Sequence, residues 1–131
     1  FNTLNKLSES YDCYLFTNKV VSLPVKNKFA ILQQIEAMNH SGILIGTSIF
    51  NAQIVAKCLT ASQKYFYVWY PEWIIFNNFY NKQLNNIFYN EELNLITRSD
   101  SHFNLINRLF KSPIGTVYNW DIDDLLKVLN I

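Results

Sequence analysis

Glu72 stands directly after Pro71, between Tyr70 and Trp73. A carboxylate in aromatic surroundings is partly desolvated, which raises its pKa and suits a general base. The plain alternative is a first-turn glutamate that stabilises its own helix. Arg98 is a candidate contact for a substrate phosphate or carboxylate, or a partner for Asp100 or Glu72. Thr47 and Ser48, after Gly46, are either a helix cap or hydroxyls at a helix amino end where an anion binds. Neither a GxxxxGK[ST] nor a GxGxxG motif accompanies them, so this turn alone does not indicate a nucleotide.

Other familiar chemistries lack their residues. His40 and His102 have no partner at metal-ligand spacing and no nearby Ser or Cys nucleophile motif, so neither a metal nor a triad is expected. Cys13 and Cys58 are far apart and form no CxxC, which suggests buried free thiols of a reducing compartment. No cofactor is called for. Arg98, Arg108 and Lys111 lie near Phe103 and Phe110 without the repeated basic and aromatic interleaving of a single-strand binder. The net charge of +1, with both signs scattered, gives no footprint for nucleic acid or a membrane surface.

The elements that would position these residues are read from periodicity. The stretch Lys64 to Trp73 is the most apolar and aromatic strand candidate, a run suited to burial on both faces inside a parallel sheet. Around it, Leu4 and Leu7 suggest a short helix, Tyr11 to Phe16 a strand, and Val20 to Leu23 a second extended run ended by Pro24. Asn27 offers a cap for a helix carrying Ile31, Leu32, Ile35 and Met38. Gly42 to Gly46 is a short apolar strand, followed by a helix from Ile49 to Thr60 with Ala52, Val55, Ala56 and Leu59 inward. After Pro71 a long helix places Trp73, Phe76, Tyr80, Leu84 and Ile87 on one side. Leu93 to Thr97 is a strand, and Ser99 or Asp100 caps a helix with Phe103, Ile106, Leu109 and Phe110. Gly115 to Tyr118 is a strand, and Asp121 opens a last helix with Ile122, Leu125, Leu126 and Leu129 inward.

Strand and helix alternate at least four times with short connections. That predicts an α/β fold, a mainly parallel sheet of about 4–6 strands with helices on both faces, a Rossmann-like three-layer sandwich. The 131 residues, 50% of them apolar, suit one domain spanning 1–131, whether or not it belongs to a longer chain. A start at Phe1 rather than methionine leaves upstream residues open. The polar amino end predicts no signal peptide, and the region from Tyr65 to Tyr89 is too interrupted by asparagine and charge to span a bilayer. A soluble, cytoplasmic protein is expected.

In such a sheet, ligands bind beyond the carboxyl ends of the strands, where strand order reverses. The expected site residues are therefore Thr17 and Asn18; Gly46, Thr47 and Ser48; Tyr70, Pro71 and Glu72; Arg98, Ser99 and Asp100; and Asn119, Trp120 and Asp121.

The order of four segments, Gly42 to Ser48, Tyr65 to Glu72, Leu93 to Ser99 and Val117 to Asp121, resembles the second half of the amino-terminal Rossmann-like domain of GT-B glycosyltransferases. In that family a strand of the type D-hydrophobic-I-G-T-S is followed by one ending near an acceptor-side histidine. A strand ending in serine comes next, then one ending N-G-hydrophobic-D. Ser99 matches the serine, and Asn119 and Asp121 match the asparagine and aspartate. Tyr70 or Glu72 stands in the region of the histidine, Trp120 replaces the glycine, and no segment looks like the carboxy-terminal domain. A glycine-rich first loop is not evident unless it lies upstream or Tyr11 to Phe16 takes its place.

The resemblance implies binding of a nucleotide sugar or glycan acceptor through Thr47, Ser48, Tyr70, Arg98, Ser99, Asn119 and Asp121. Glu72 is the base if transfer occurs, and a second domain or partner subunit closes over the donor. The alternative is a non-catalytic α/β binding or assembly module that self-associates through aromatic surface. A third reading is a flavodoxin-like phosphate or nucleotide binder.

Overall fold

The computed structural model describes residues 1–19, 26–75 and 81–131. The helices are α1 (Asn2–Leu7), α2 (Ile49–Lys57), α3 (Glu72–Ile75), α4 (Asn81–Phe88), α5 (Asp100–Leu109) and α6 (Ile122–Leu129). The strands are β1 (Tyr14–Phe16), β2 (Ala30–Leu32), β3 (Ile43–Gly46), β4 (Gln63–Val68), β5 (Leu93–Thr97) and β6 (Gly115–Thr116). Four of them form an all-parallel sheet in the order β3-β4-β5-β6, and β1 and β2 form a separate parallel pair. The protein is a Rossmann-like α/β sandwich with helices on both faces of the larger sheet.

β4 is the interior strand that its aromatic run predicts. Phe66 and Val68 face one layer, Tyr65 and Tyr67 the other, and all four are buried. Phe66 and Val68 meet Ala52 and Val55 of α2, Leu84, Ile87 and Phe88 of α4 and Ile106 of α5. Tyr65 and Tyr67 meet Leu125 and Leu129 of α6, with Leu7 of α1 packed alongside. Strand order never reverses within this sheet, so right-handed crossovers place α2, α4 and α5 on the same face. α6, after the last strand, leaves to the opposite side, where α1 also packs. Close approach of α2 depends on small residues: a Cβ on Gly46 would lie 2.8 Å from the Ala52 amide nitrogen, and Ala52 is fully buried.

Several expectations need correction. No helix spans 28–40: Ala30–Leu32 pairs with Tyr14–Phe16, and Gln34–Asn39 is a 3-10 helix closed by a Gln33–Glu36 capping box. A neighbouring backbone in register outweighed a helix-like spacing of Ile31, Leu32, Ile35 and Met38, and Ile35 is left 69% exposed. α2 ends at Lys57, which leaves Leu59 93% exposed rather than inward. The first strand is confined to Tyr14–Phe16 and the last to Gly115–Thr116, with Tyr118–Trp120 a single 3-10 turn. Leu109 is exposed, and Cys13 is half-buried whereas Cys58 is buried.

The run Val20 to Leu23 and Pro24 lie outside the described residues, as do Phe76 and Tyr80 of the helix expected after Pro71. No helix among the described residues is long and apolar enough to cross a membrane.

Candidate functional site

The carboxyl edge of the four-stranded sheet carries two groups of side chains. The first surrounds the amino end of α2. Ser48 is the N-cap, its Oγ accepting from the Asn51 amide at 3.1 Å, which is the capping role hydroxyls before a helix commonly take. Glu72, the first residue of α3, accepts a hydrogen bond from the Ile49 amide at 3.0 Å. A carboxylate of the chain therefore already sits at this helix end, where an external anion was one expectation. Burial pushes the Glu72 carboxyl above its ordinary value, against the opposing pull of the Ile49 amide.

An amide chain extends from the same place to the smaller sheet. Asn18 Nδ2 donates to Gln34 Oε1 at 2.8 Å, Gln34 Nε2 to Asn51 Oδ1 at 2.7 Å, and Asn51 Nδ2 to Thr47 Oγ1 at 3.5 Å. Asn18 and Thr47, predicted from separate strand ends, are thus brought together. Beside them Ile35, Met38, Phe50 and Ile54 line an open groove of about 300 Å³.

The second group lies where β5 and β6 end. α5 leaves β5 toward one face and α6 leaves β6 toward the other, so the two connections diverge and open a crevice between them. A divergence of neighbouring connections does here what a reversal of strand order does in a doubly wound sheet. On the β5 side, Ser99 caps α5 by accepting from the His102 amide at 3.3 Å. Arg98 places its Cζ 4.5 Å from the centre of the Trp69 ring, a cation–π contact, and pairs with neither Asp100 nor Glu72.

On the β6 side, Asp121 caps α6 by accepting from the Asp123 and Asp124 amides at 3.0 and 3.1 Å. Asn119 and Trp120 both have positive φ, 48° and 60°. A bulky residue in the left-handed region is an outlier that its surroundings must hold. Trp120 is held by its ring, 4.4 Å from that of Tyr67, and by its carbonyl, which accepts from Thr3 Oγ1 at 2.7 Å. The Tyr118 hydroxyl donates to Asp100 Oδ1 at 2.7 Å and so bridges the crevice. An open groove of about 420 Å³, lined by Asp100, Phe103, Asn104, Gly115 and Thr116, continues down the flank of α5.

Tyr70 is exposed at the β4 end, where its carbonyl accepts from the Glu72 amide at 2.9 Å, and Thr17 lies with the smaller sheet. Sequence reasoning missed His102, which has no partner at a recognisable spacing. It sits in the first turn of α5, and its Nδ1 is shielded from water with no hydrogen-bond partner. Burial, then the nearby Arg98 charge, pushes its pKa below 6.5, while the Val68 carbonyl pulls the other way. The usable signal is the cap: with Ser99 as N-cap, His102 is the third helical residue, a position whose side chain can reach back toward the helix start.

A depressed histidine pKa has a consequence for stability. The neutral ring contributes stability that is fully present above the unfolded-state value and is lost as pH falls through the lower folded-state value. Thermal melts taken from about pH 8 to about pH 5 are expected to show this loss, and it should shrink in a His102→Gln protein. An identical acid profile in the two proteins would count against a buried, neutral His102.

No protein-family model, curated protein or solved structure matches this chain.

Proposed function

We propose that this is a glycosyltransferase-like α/β protein, which receives a nucleotide sugar or glycan acceptor at the carboxyl edge of β4, β5 and β6. The observation that carries the reading is the backbone of Trp120. Trp120 follows Asn119 as the glycine does in N-G-hydrophobic-D, with Asp121 one residue closer than in that motif, and its backbone adopts the left-handed conformation that glycine favours despite a tryptophan side chain. Such strain persists where the surroundings impose it, commonly at ligand sites.

Asn119, Trp120 and Asp121 then form one wall of the crevice, Arg98 and Ser99 stand at the neighbouring end of β5, and Tyr70 is exposed at the end of β4. Glu72, held by the Ile49 amide through one oxygen and with a raised pKa, is the group best suited to take a proton from an acceptor hydroxyl. The crevice is open, so transfer requires a second domain or a partner subunit to close over the donor and exclude water.

One observation favours the assembly reading instead. The groove beside α2 is walled by Ile35, Met38, Phe50 and Ile54, and both Ile35 and Phe50 are exposed. Isothermal titration against a panel of nucleotide sugars and glycans separates the two. Saturable heat, with a rise in melting temperature at high ligand, is the expected result. No heat with any of them, together with dimerisation that grows with protein concentration, would establish the assembly module and remove the glycosyltransferase-like reading.

A further inference from the structure

At the carboxyl ends of β4 and β5, two neighbouring polar groups lack the partners that partly buried groups normally have. Arg98 is half-buried, yet among the described residues its guanidinium makes no hydrogen bond or ion pair and rests only on Trp69. His102 lies four residues on, in the first turn of α5 just past the Ser99 cap, and its Nδ1 is shielded from water and unpartnered.

The acidic side chains around this edge are each engaged elsewhere. Asp100 accepts from the Tyr118 hydroxyl, Asp124 from the Tyr118 amide, Asp121 from the amides of its own helix, and Glu72 from the Ile49 amide. Among the described residues no carboxylate lies within ion-pair distance of the Arg98 guanidinium, and the imidazole in the first turn of α5 has a spare nitrogen. A side-chain polar atom with neither water nor a partner is rare, and one at a strand edge near an unpaired guanidinium points to an external partner.

We infer that Arg98, seated on the Trp69 ring, and His102 form an oxyanion site that takes the phosphate or diphosphate group of a ligand. The inference deepens the proposed function by naming the part of the ligand that the crevice holds. A guanidinium fixed flat against an indole keeps its edge free, and that edge offers parallel N–H groups matched to two phosphate oxygens. The arriving anion also offsets the Arg98 charge that disfavours imidazolium at His102. His102 then holds its second proton, and Nδ1 becomes a donor instead of an unpaired acceptor. The groups that bear on the ring are the Arg98 charge, which disfavours its protonation, and the Val68 carbonyl, which favours it.

The test follows the ring C–H resonances of His102 and His40 by NMR while pyrophosphate, inorganic phosphate or acetate is added at constant ionic strength. Expected is a saturable shift of His102 toward the imidazolium position with pyrophosphate and phosphate, while His40, beside Tyr14 and Phe16, stays in place. Arg98→Gln should weaken pyrophosphate binding by about tenfold or more, and Arg98→Lys by less, since it keeps the charge and loses the fork.

A shift that rises linearly without saturating, equal movement of both histidines, equal saturation by acetate, or full affinity in Arg98→Gln would overturn the site. The wild-type titration decides this even if a variant fails to fold. Nucleotide sugars that bind without moving His102 overturn the inference and leave the glycosyltransferase-like reading standing. Pyrophosphate that moves His102, where no nucleotide sugar or glycan binds at all, supports the site and removes that reading.

Discussion

A Phe88→Ala protein is expected to lose about 3–5 kcal/mol of unfolding free energy, read as a lower urea midpoint with an unchanged slope. Phe88 ends α4 with no exposed surface and is enclosed by other rings. Phe110 stacks on it with centroids 4.3 Å apart, Trp73 meets it edge-on at 5.2 Å, and Phe66 of the central strand lies at 5.6 Å. Truncation removes the transfer free energy of a phenyl group and leaves a cavity that three stiff aromatic neighbours collapse into poorly. Phe88→Leu keeps more of the volume and should lose less. Trp73 follows Glu72 directly, so loosening this cluster also loosens the carboxylate, whereas Tyr67, Trp69 and Trp120 pack on the opposite face of the sheet and should hold. A loss below about 1 kcal/mol would mean that the cluster is not the closed core described.

The parts of this fold that could be read from the chain are those where one physical requirement dominates. A strand buried on both sides must be apolar at every position, so Tyr65 to Val68 announces itself. A helix start exposes amides that a short oxygen-bearing side chain satisfies, so Ser48, Ser99 and Asp121 mark α2, α5 and α6. Segment 28–40 has a helix-like spacing and folds otherwise, because three-residue strands have too few side chains for a period, and the pairing of β2 with β1 is a tertiary fact.

The placement of these residues at strand ends is legible in the chain, and their partnerships are not. Glu72 and Ile49 are 23 residues apart, and Tyr118 and Asp100 are 18 apart, with no pattern joining them. The left-handed backbone of Trp120 contradicts its residue type, so only its neighbours, Tyr67 and Thr3, reveal that it is held. Metal and triad chemistry are recognised by spacing, which His102 lacks. Its distinguishing feature is a missing hydrogen bond, which exists only in three dimensions.

Glu72→Gln separates the bracing role of this residue from the chemical one, because the amide is nearly the same shape. A glutamine oxygen can still accept from the Ile49 amide, so the link between α3 and the start of α2 survives. Stability should move in a defined direction. The folded-state pKa of Glu72 is raised, so its contribution is fully present below the ordinary 4.5 and is lost as pH rises through the folded value. At neutral pH the wild type bears a half-buried charge that glutamine lacks, and the variant should melt at the same temperature or higher. Transfer of the sugar should nonetheless fall by about 10²–10⁴-fold if the carboxylate takes the acceptor proton, with nucleotide-sugar affinity unchanged. Unchanged transfer in a stably folded Glu72→Gln protein would remove Glu72 as the base and leave it as the brace of α2. A large loss of stability at neutral pH would show instead that the ionised carboxylate, and not merely a hydrogen-bond acceptor, is what the amino end of α2 requires.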